Sequence, residues 1–111
     1  MDTADLRDFV GFEEGAALSR AVFASERLAA RVISVDVNRA YGPAGDPEAD
    51  AMLVILAGEA VFQVDRRRKR MKQWGSVLVE AGHEVVATNA SGEPLVLLLV
   101  TAPLAERSAS M

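Results

Sequence analysis

The amino-acid sequence predicts an all-β protein built as one antiparallel sandwich or barrel. Three observations lead to that class. Seven or eight short apolar runs recur between turn signals, spaced at about 8–12 residues. From Arg31 the residues alternate with period two, Ile33, Val35 and Val37 on one face and Ser34, Asp36 and Asn38 on the other. No internal repeat, low-complexity tract or linker divides the 111 residues, so a single domain with a sizeable core is expected.

The elements follow in chain order. Residues 2–12 carry no clear period. Over 13–31 the many Ala, Leu, Glu and Arg favour helix by propensity. The alternation of Leu18, Arg20 and Val22 instead favours a strand over about 17–24. Residues 31–38 read as a half-buried strand. Residues 41–50, with two prolines, two glycines and three acids, read as a loop. The continuous apolar run 52–58, ended by Gly58, is expected to be a strand buried on both faces. Ala60 to Val64 is the next strand. Asp65 to Lys69 is read as a turn and Arg70 to Trp74 as the returning strand. Residues 74–89, WGSVLVEAGHEVVATN, form a strand, a tight turn at Ala81-Gly82 and a second strand. After a turn over 90–93, PLVLLLVT (94–101) is the last strand. The polar tail 106–111 is expected to be frayed.

Composition removes several classes of function. The chain is acidic, with a net charge of −4 and a pI near 4.9. Such a chain does not attract phosphate backbones overall, so no nucleic-acid partner is expected. There is no cysteine, which removes disulfides, thiol nucleophiles and thiolate metal sites. The N-terminal MDTADLRDF is acidic and lacks an apolar core, so no signal peptide is expected. The longest apolar run falls far short of the roughly 20 residues of a membrane helix. A soluble, cytoplasmic protein without a membrane partner is the expectation. No serine lies in a Gly-x-Ser-x-Gly context, and one histidine is the sole candidate base.

Two segments resemble a known family. DAMLVILAGEAVFQVD ends a strand in an apolar-apolar-x-Gly-Glu pattern, Ile55-Leu56-Ala57-Gly58-Glu59. VLVEAGHEVVATN places a glycine turn before a strand that closes on Asn89. Together they resemble the two conserved regions of the cupins (the RmlC-like superfamily), and the resemblance covers about 31–101. It implies a double-stranded β-helix, or jelly roll, and suggests a homodimer like many small members. Cupins usually bind a metal through two histidines and a glutamate of the first region and a histidine of the second. By the resemblance these positions fall here on Gly45 and Pro47 (or Ala44 and Asp46, with one extra residue), Ala51 and Val85. Gly58, Gly82 and Asn89, all structural, are retained. The chain is therefore similar to a degenerate cupin with neither a metal set nor a cofactor.

The candidate pocket residues are Tyr41, Ala51, His83 and Val85. Ala51 and Val85 stand where ligands would, so an apolar pocket or a filled core is expected, with a small apolar ligand as its occupant. His83, two residues before Val85, is placed on the same inward face of an extended strand. Two enzyme readings stand beside the ligand-binding one. In the first, His83 and Tyr41 act as base and acid in a metal-free epimerisation. In the second, Asp46, Glu48 and Asp50 join His83 in a remade site for a hard cation. The basic run RRRKRMK, 66–72, reads either as a surface for an anion or an acidic partner or as charge on an edge strand that deters pairing. Trp74 is expected in the core and Tyr41 at the barrel mouth.

Overall fold

A computed structural model describes residues 1–12 and 17–103. The expected tail at 106–111 lies outside them. Nine strands are present among the described residues: β1 Leu18–Ala24, β2 Ala29–Val35, β3 Ala40–Ala44, β4 Ala49–Ala57, β5 Ala60–Val64, β6 Arg67–Met71, β7 Ser76–Val79, β8 Val85–Asn89 and β9 Leu95–Pro103. A short 3-10 turn, Leu6–Phe9, precedes them. Every pairing is antiparallel. A five-stranded sheet runs β1-β2-β9-β4-β7, and a four-stranded sheet runs β3-β8-β5-β6. This is the predicted all-β jelly roll.

Period-two alternation aims one face of each sheet at the other. Ile33, Val35, Leu53, Ile55, Leu95 and Leu97 point inward from the larger sheet, and Ala60, Phe62, Val85 and Ala87 from the smaller. At roughly 25 cal/mol per Å² of apolar surface removed from water, this core is the main stabilising term. Asn89 joins the two sheets at one end. Its buried Nδ2 donates to the carbonyls of Val35 (3.2 Å), Asp36 (3.3 Å) and Glu93 (2.8 Å), and its Oδ1 accepts from Ser91 N–H (3.0 Å). Gly58 has φ +89, and a Cβ there would stand 2.7 Å from Pro94 O, so only glycine fits the bend before β5.

The structure corrects several boundaries. The segment 41–50 is a loop only in part. Ala40–Ala44 is a strand on β8, with a register shift between Tyr41 and Ala44 that holds Gly42 and Pro43. A bulge of this kind hides a strand behind loop-like residues. The 31–38 strand ends at Val35, because Asn38 takes φ 64 in a turn. The basic hairpin turns on Asp65 and Arg66 alone, Asp65 at φ 57, so β6 begins at Arg67. The 52–58 run is not covered on both faces: Leu53 and Ile55 are buried, while Met52 stays 41% exposed on the outer face. Trp74 does not enter the core. It is 72% exposed at φ 75, at the corner where the chain leaves β6 for β7.

Candidate functional site

The inward face of β4 explains the cavity. It reads Ala49, Ala51, Leu53, Ile55. The Leu and Ile fill the core, and the two alanines leave space. Ala51 lies opposite Thr101 on β9 and Val79 on β7. From the other sheet Tyr41 and Val85 close over them. The result is a cavity of about 330 Å³ between the sheets, at the small end of ligand sites. Its walls are mostly apolar, with Val79, Val85 and Leu99 among them. The polar groups reaching it are Tyr41, Thr101, Asp46 and Glu84.

Tyr41 is half-buried, and burial pushes its phenol above the ordinary value, a rise that nearby Arg31 opposes. The phenol therefore stays protonated near neutrality and can act as both hydrogen-bond donor and acceptor. Arg31 is held in place by Ser19, donating from Nε to Ser19 Oγ (2.6 Å) and from its terminal nitrogen to Ser19 O (3.2 Å).

Three of the four residues singled out in the sequence, Tyr41, Ala51 and Val85, meet in this cavity. His83 does not. It lies in the turn before β8, where the backbone has not yet become extended, so the two-residue alternation from Val85 does not reach it. Its side chain is 47% exposed and its Nδ1 stands 3.0 Å from Asp65. There it borders a separate shallow hollow on the outside of the smaller sheet. Asp65 raises the His83 pKa, first through the hydrogen bond and then through its charge. An acid–base pair of Tyr41 and His83 sharing one cavity is not formed.

The acidic loop serves the backbone. Asp46 Oδ1 accepts from Glu48 N–H (2.7 Å), and Asp46 O accepts from Gly82 N–H (3.0 Å). Asp50 Oδ1 accepts from Ala81 N–H (2.9 Å). These bonds clamp the loop onto the 80–83 turn. Among the described residues no three His, Asp or Glu side chains gather as a metal-holding group.

Among the lining residues missed in the sequence reading, beside Pro43 and Ala49, are Val79, Leu99, Thr101 and Glu84. Val79, Leu99 and Thr101 carried a signal: strict alternation along β7 and β9 puts them on the face of Val77, Leu95 and Leu97. Glu84 carried none, because its position follows from the turn.

No family model matches the chain, and no curated protein matches it. Solved structures do. The protein TT1209 from Thermus thermophilus is 25% identical, with a TM-score of 0.86 over 93% of this chain and 98% of that one. An uncharacterised conserved protein with a double-stranded β-helix domain from Klebsiella pneumoniae is 16% identical, with a TM-score of 0.86 over 95% and 92%. An RmlC-like cupin protein from Desulfovibrio desulfuricans is 16% identical, with a TM-score of 0.81 over 93% and 97%. The fold is that of the cupins, the RmlC-like double-stranded β-helix proteins.

The metal that this fold usually implies does not fit the residues present. A Cβ at Gly45 would stand 2.1 Å from His83 O, so no side chain can be carried there without moving backbone. Pro47, Ala51 and Val85 offer no donor atom. Asp46 and Glu84 are the two carboxylates on the cavity wall, Asp46 already bonded to Glu48 N–H, and among the described residues no third metal-holding side chain joins them to make a site.

Proposed function

We propose that this cupin-fold protein binds a small, mostly apolar molecule inside its barrel without a metal. The cavity over Ala51 carries this reading: it opens beside Ala51 and Val85, the positions the cupin resemblance assigns to metal ligands, and both offer only hydrocarbon. Tyr41 and Thr101 supply hydroxyls to orient a ligand that bears one hydroxyl or carbonyl group. Asp46 and Glu84 at the wall disfavour an anionic ligand.

The test is a thermal-shift screen of small alcohols, ketones and phenols on the wild type and on Ala51→Leu. A ligand at about 100 times its Kd stabilises by about 2.7 kcal/mol, a rise of roughly 8–15 °C in Tm for a domain of this size. Ala51→Leu fills the space, and the rise should vanish while the variant stays folded. Equal shifts in both proteins would contradict the reading.

The protein works as a homodimer in this proposal. A row of residues crosses the outer face of the larger sheet in register, Leu78, Met52, Val100, Ala30 and Phe23; Leu78, Met52 and Phe23 are exposed, and Ala30 between them is buried. Leu78 is 64% exposed. Apolar side chains aligned across one sheet face suit burial against the same face of a second copy. Sedimentation should give twice the chain mass for the wild type and the monomer mass for Met52→Lys, Leu78→Lys. A monomeric wild type would refute the dimer.

A further inference from the structure

The two sheets end on strands β6 and β7, which leave a cleft between them of about 620 Å³, larger than the barrel cavity. Its floor is apolar: Phe62 belongs to the core, and Val64, Met71 and Val77 pack against it. Arg67, Arg68 and Lys69 line the cleft; Arg68, opposite Gln63, is on the outer side of the sheet, and the other two cations stand over the floor. In the β5–β6 register Lys69 is opposite Phe62 and Arg67 is opposite Val64, so both point to the inner side of the sheet. Arg70 points outward and is occupied, with Nε 3.1 Å from Glu59 and its terminal nitrogen on Ala90 O.

Charge that deters edge pairing explains outward-facing residues on β6 well. It does not require a lysine and an arginine over the core. Neither Arg67 nor Lys69 has a carboxylate within ion-pair distance among the described residues. Asp65, the one acid at the rim, is engaged by His83. Residues 66–72 carry six basic side chains and no acid, in a chain whose net charge is −4.

We infer that the β6–β7 cleft is a second ligand site, which takes a free amphipathic carboxylate: an apolar chain on the Phe62–Val77 floor and an anionic head held by Arg67 and Lys69. The guanidinium fork matches a carboxylate bidentately, and the ammonium adds a point charge beside it. An apolar floor with a small number of placed polar groups is the usual composition of a small-molecule site, and the volume lies within the usual range. The opposite electrostatics of the two spaces separate their ligands. The barrel cavity has acidic groups at its wall and this cleft has basic ones.

The experiment is titration calorimetry of the full chain with decanoate below its micelle concentration, with decanol as the neutral control. Decanoate should bind, and decanol, which the open barrel cavity of the wild type can also take, is read in Ala51→Leu, where it should not bind. Arg67→Gln, Lys69→Gln should weaken decanoate by about 10–100-fold. Arg27→Gln, Arg39→Gln removes two exposed charges elsewhere and should leave the affinity unchanged. Ala51→Leu should bind decanoate as the wild type does, which keeps this result independent of the barrel reading. Equal binding of decanol and decanoate in Ala51→Leu, an unchanged decanoate affinity in Arg67→Gln, Lys69→Gln, or loss of decanoate binding in Ala51→Leu would overturn the assignment. Retention on anionic lipid vesicles without binding of free decanoate would overturn it as well.

Discussion

Asn89→Ala should be among the most damaging single substitutions in the chain, although it removes only a small polar group. Asn89 sits at the end of β8 in the smaller sheet and is 6% exposed. Its amide reaches Val35 O at the end of β2, in the larger sheet, and Glu93 O in the turn before β9. Alanine removes these bonds and leaves Val35 O without its side-chain donor. Each net hydrogen bond is worth about 1 kcal/mol, and a stranded buried acceptor costs about 1–3 kcal/mol more. The expected loss is about 3–4 kcal/mol, or roughly 10–20 °C in Tm. Asn89→Asp should be no better, because a carboxylate cannot donate to the three carbonyls. Urea unfolding followed by circular dichroism measures the loss, and an unchanged m-value would show that the unfolded reference has not moved. Thr88→Ala, exposed on the same strand, should stay within about 0.5 kcal/mol. A loss below about 1 kcal/mol for Asn89→Ala would refute the claim that this side chain joins the sheets.

Other perturbations test the turns. Gly45→Ala should cost more than Gly82→Ala. A Cβ at Gly45 meets His83 O at 2.1 Å, whereas at Gly82 it meets nothing and only the positive φ of 88 opposes it. Thermal melts should show about 1–3 kcal/mol for the first and about 1–2 for the second; the reverse order would contradict the described turn. Trp74→Gly should raise stability by about 1 kcal/mol, since an exposed tryptophan at φ 75 gains little from packing and glycine adopts that backbone freely; a lower Tm would mean that the indole is held by contacts. The His83–Asp65 pair sets a pH dependence. The folded-state pKa of His83 is raised, so the pair's contribution is complete below the unfolded value and is lost as pH rises through the folded one. Asp65→Asn should lower the imidazole pKa followed by NMR and flatten stability over that window, and an unmoved titration would exclude the pair.

The period-two pattern made most of the fold legible. Strands β5, β7 and β8 each bury one row of alternating residues, and such a row is visible in any single strand; β2, read as half-buried, buries Val32 and Ser34 on its other face as well, and β9 likewise buries Val96. Strand β3 was not legible, because a bulge lets Tyr41-Gly42-Pro43 sit in a sheet while reading as a loop. The open outer face at Met52 was not legible either. An apolar run looks the same whether a second layer covers it or leaves it exposed. Tyr41, Ala51 and Val85 could be placed from strand phase and from the family resemblance. His83 could not, since phase counted back from Val85 fails once the backbone enters a turn. The cleft under the basic hairpin needed the register. The run RRRKR does not reveal which of its charges stand over the core until Phe62 is known to lie opposite Lys69.

The proposed function has the barrel bind a small apolar ligand without a metal. The most direct test is elemental analysis of tag-free protein purified without chelator, followed by the ligand-induced melting shift with and without EDTA. The account predicts substoichiometric metal and a shift that EDTA leaves unchanged. Stoichiometric metal in the wild type, with the shift lost in EDTA, would contradict it.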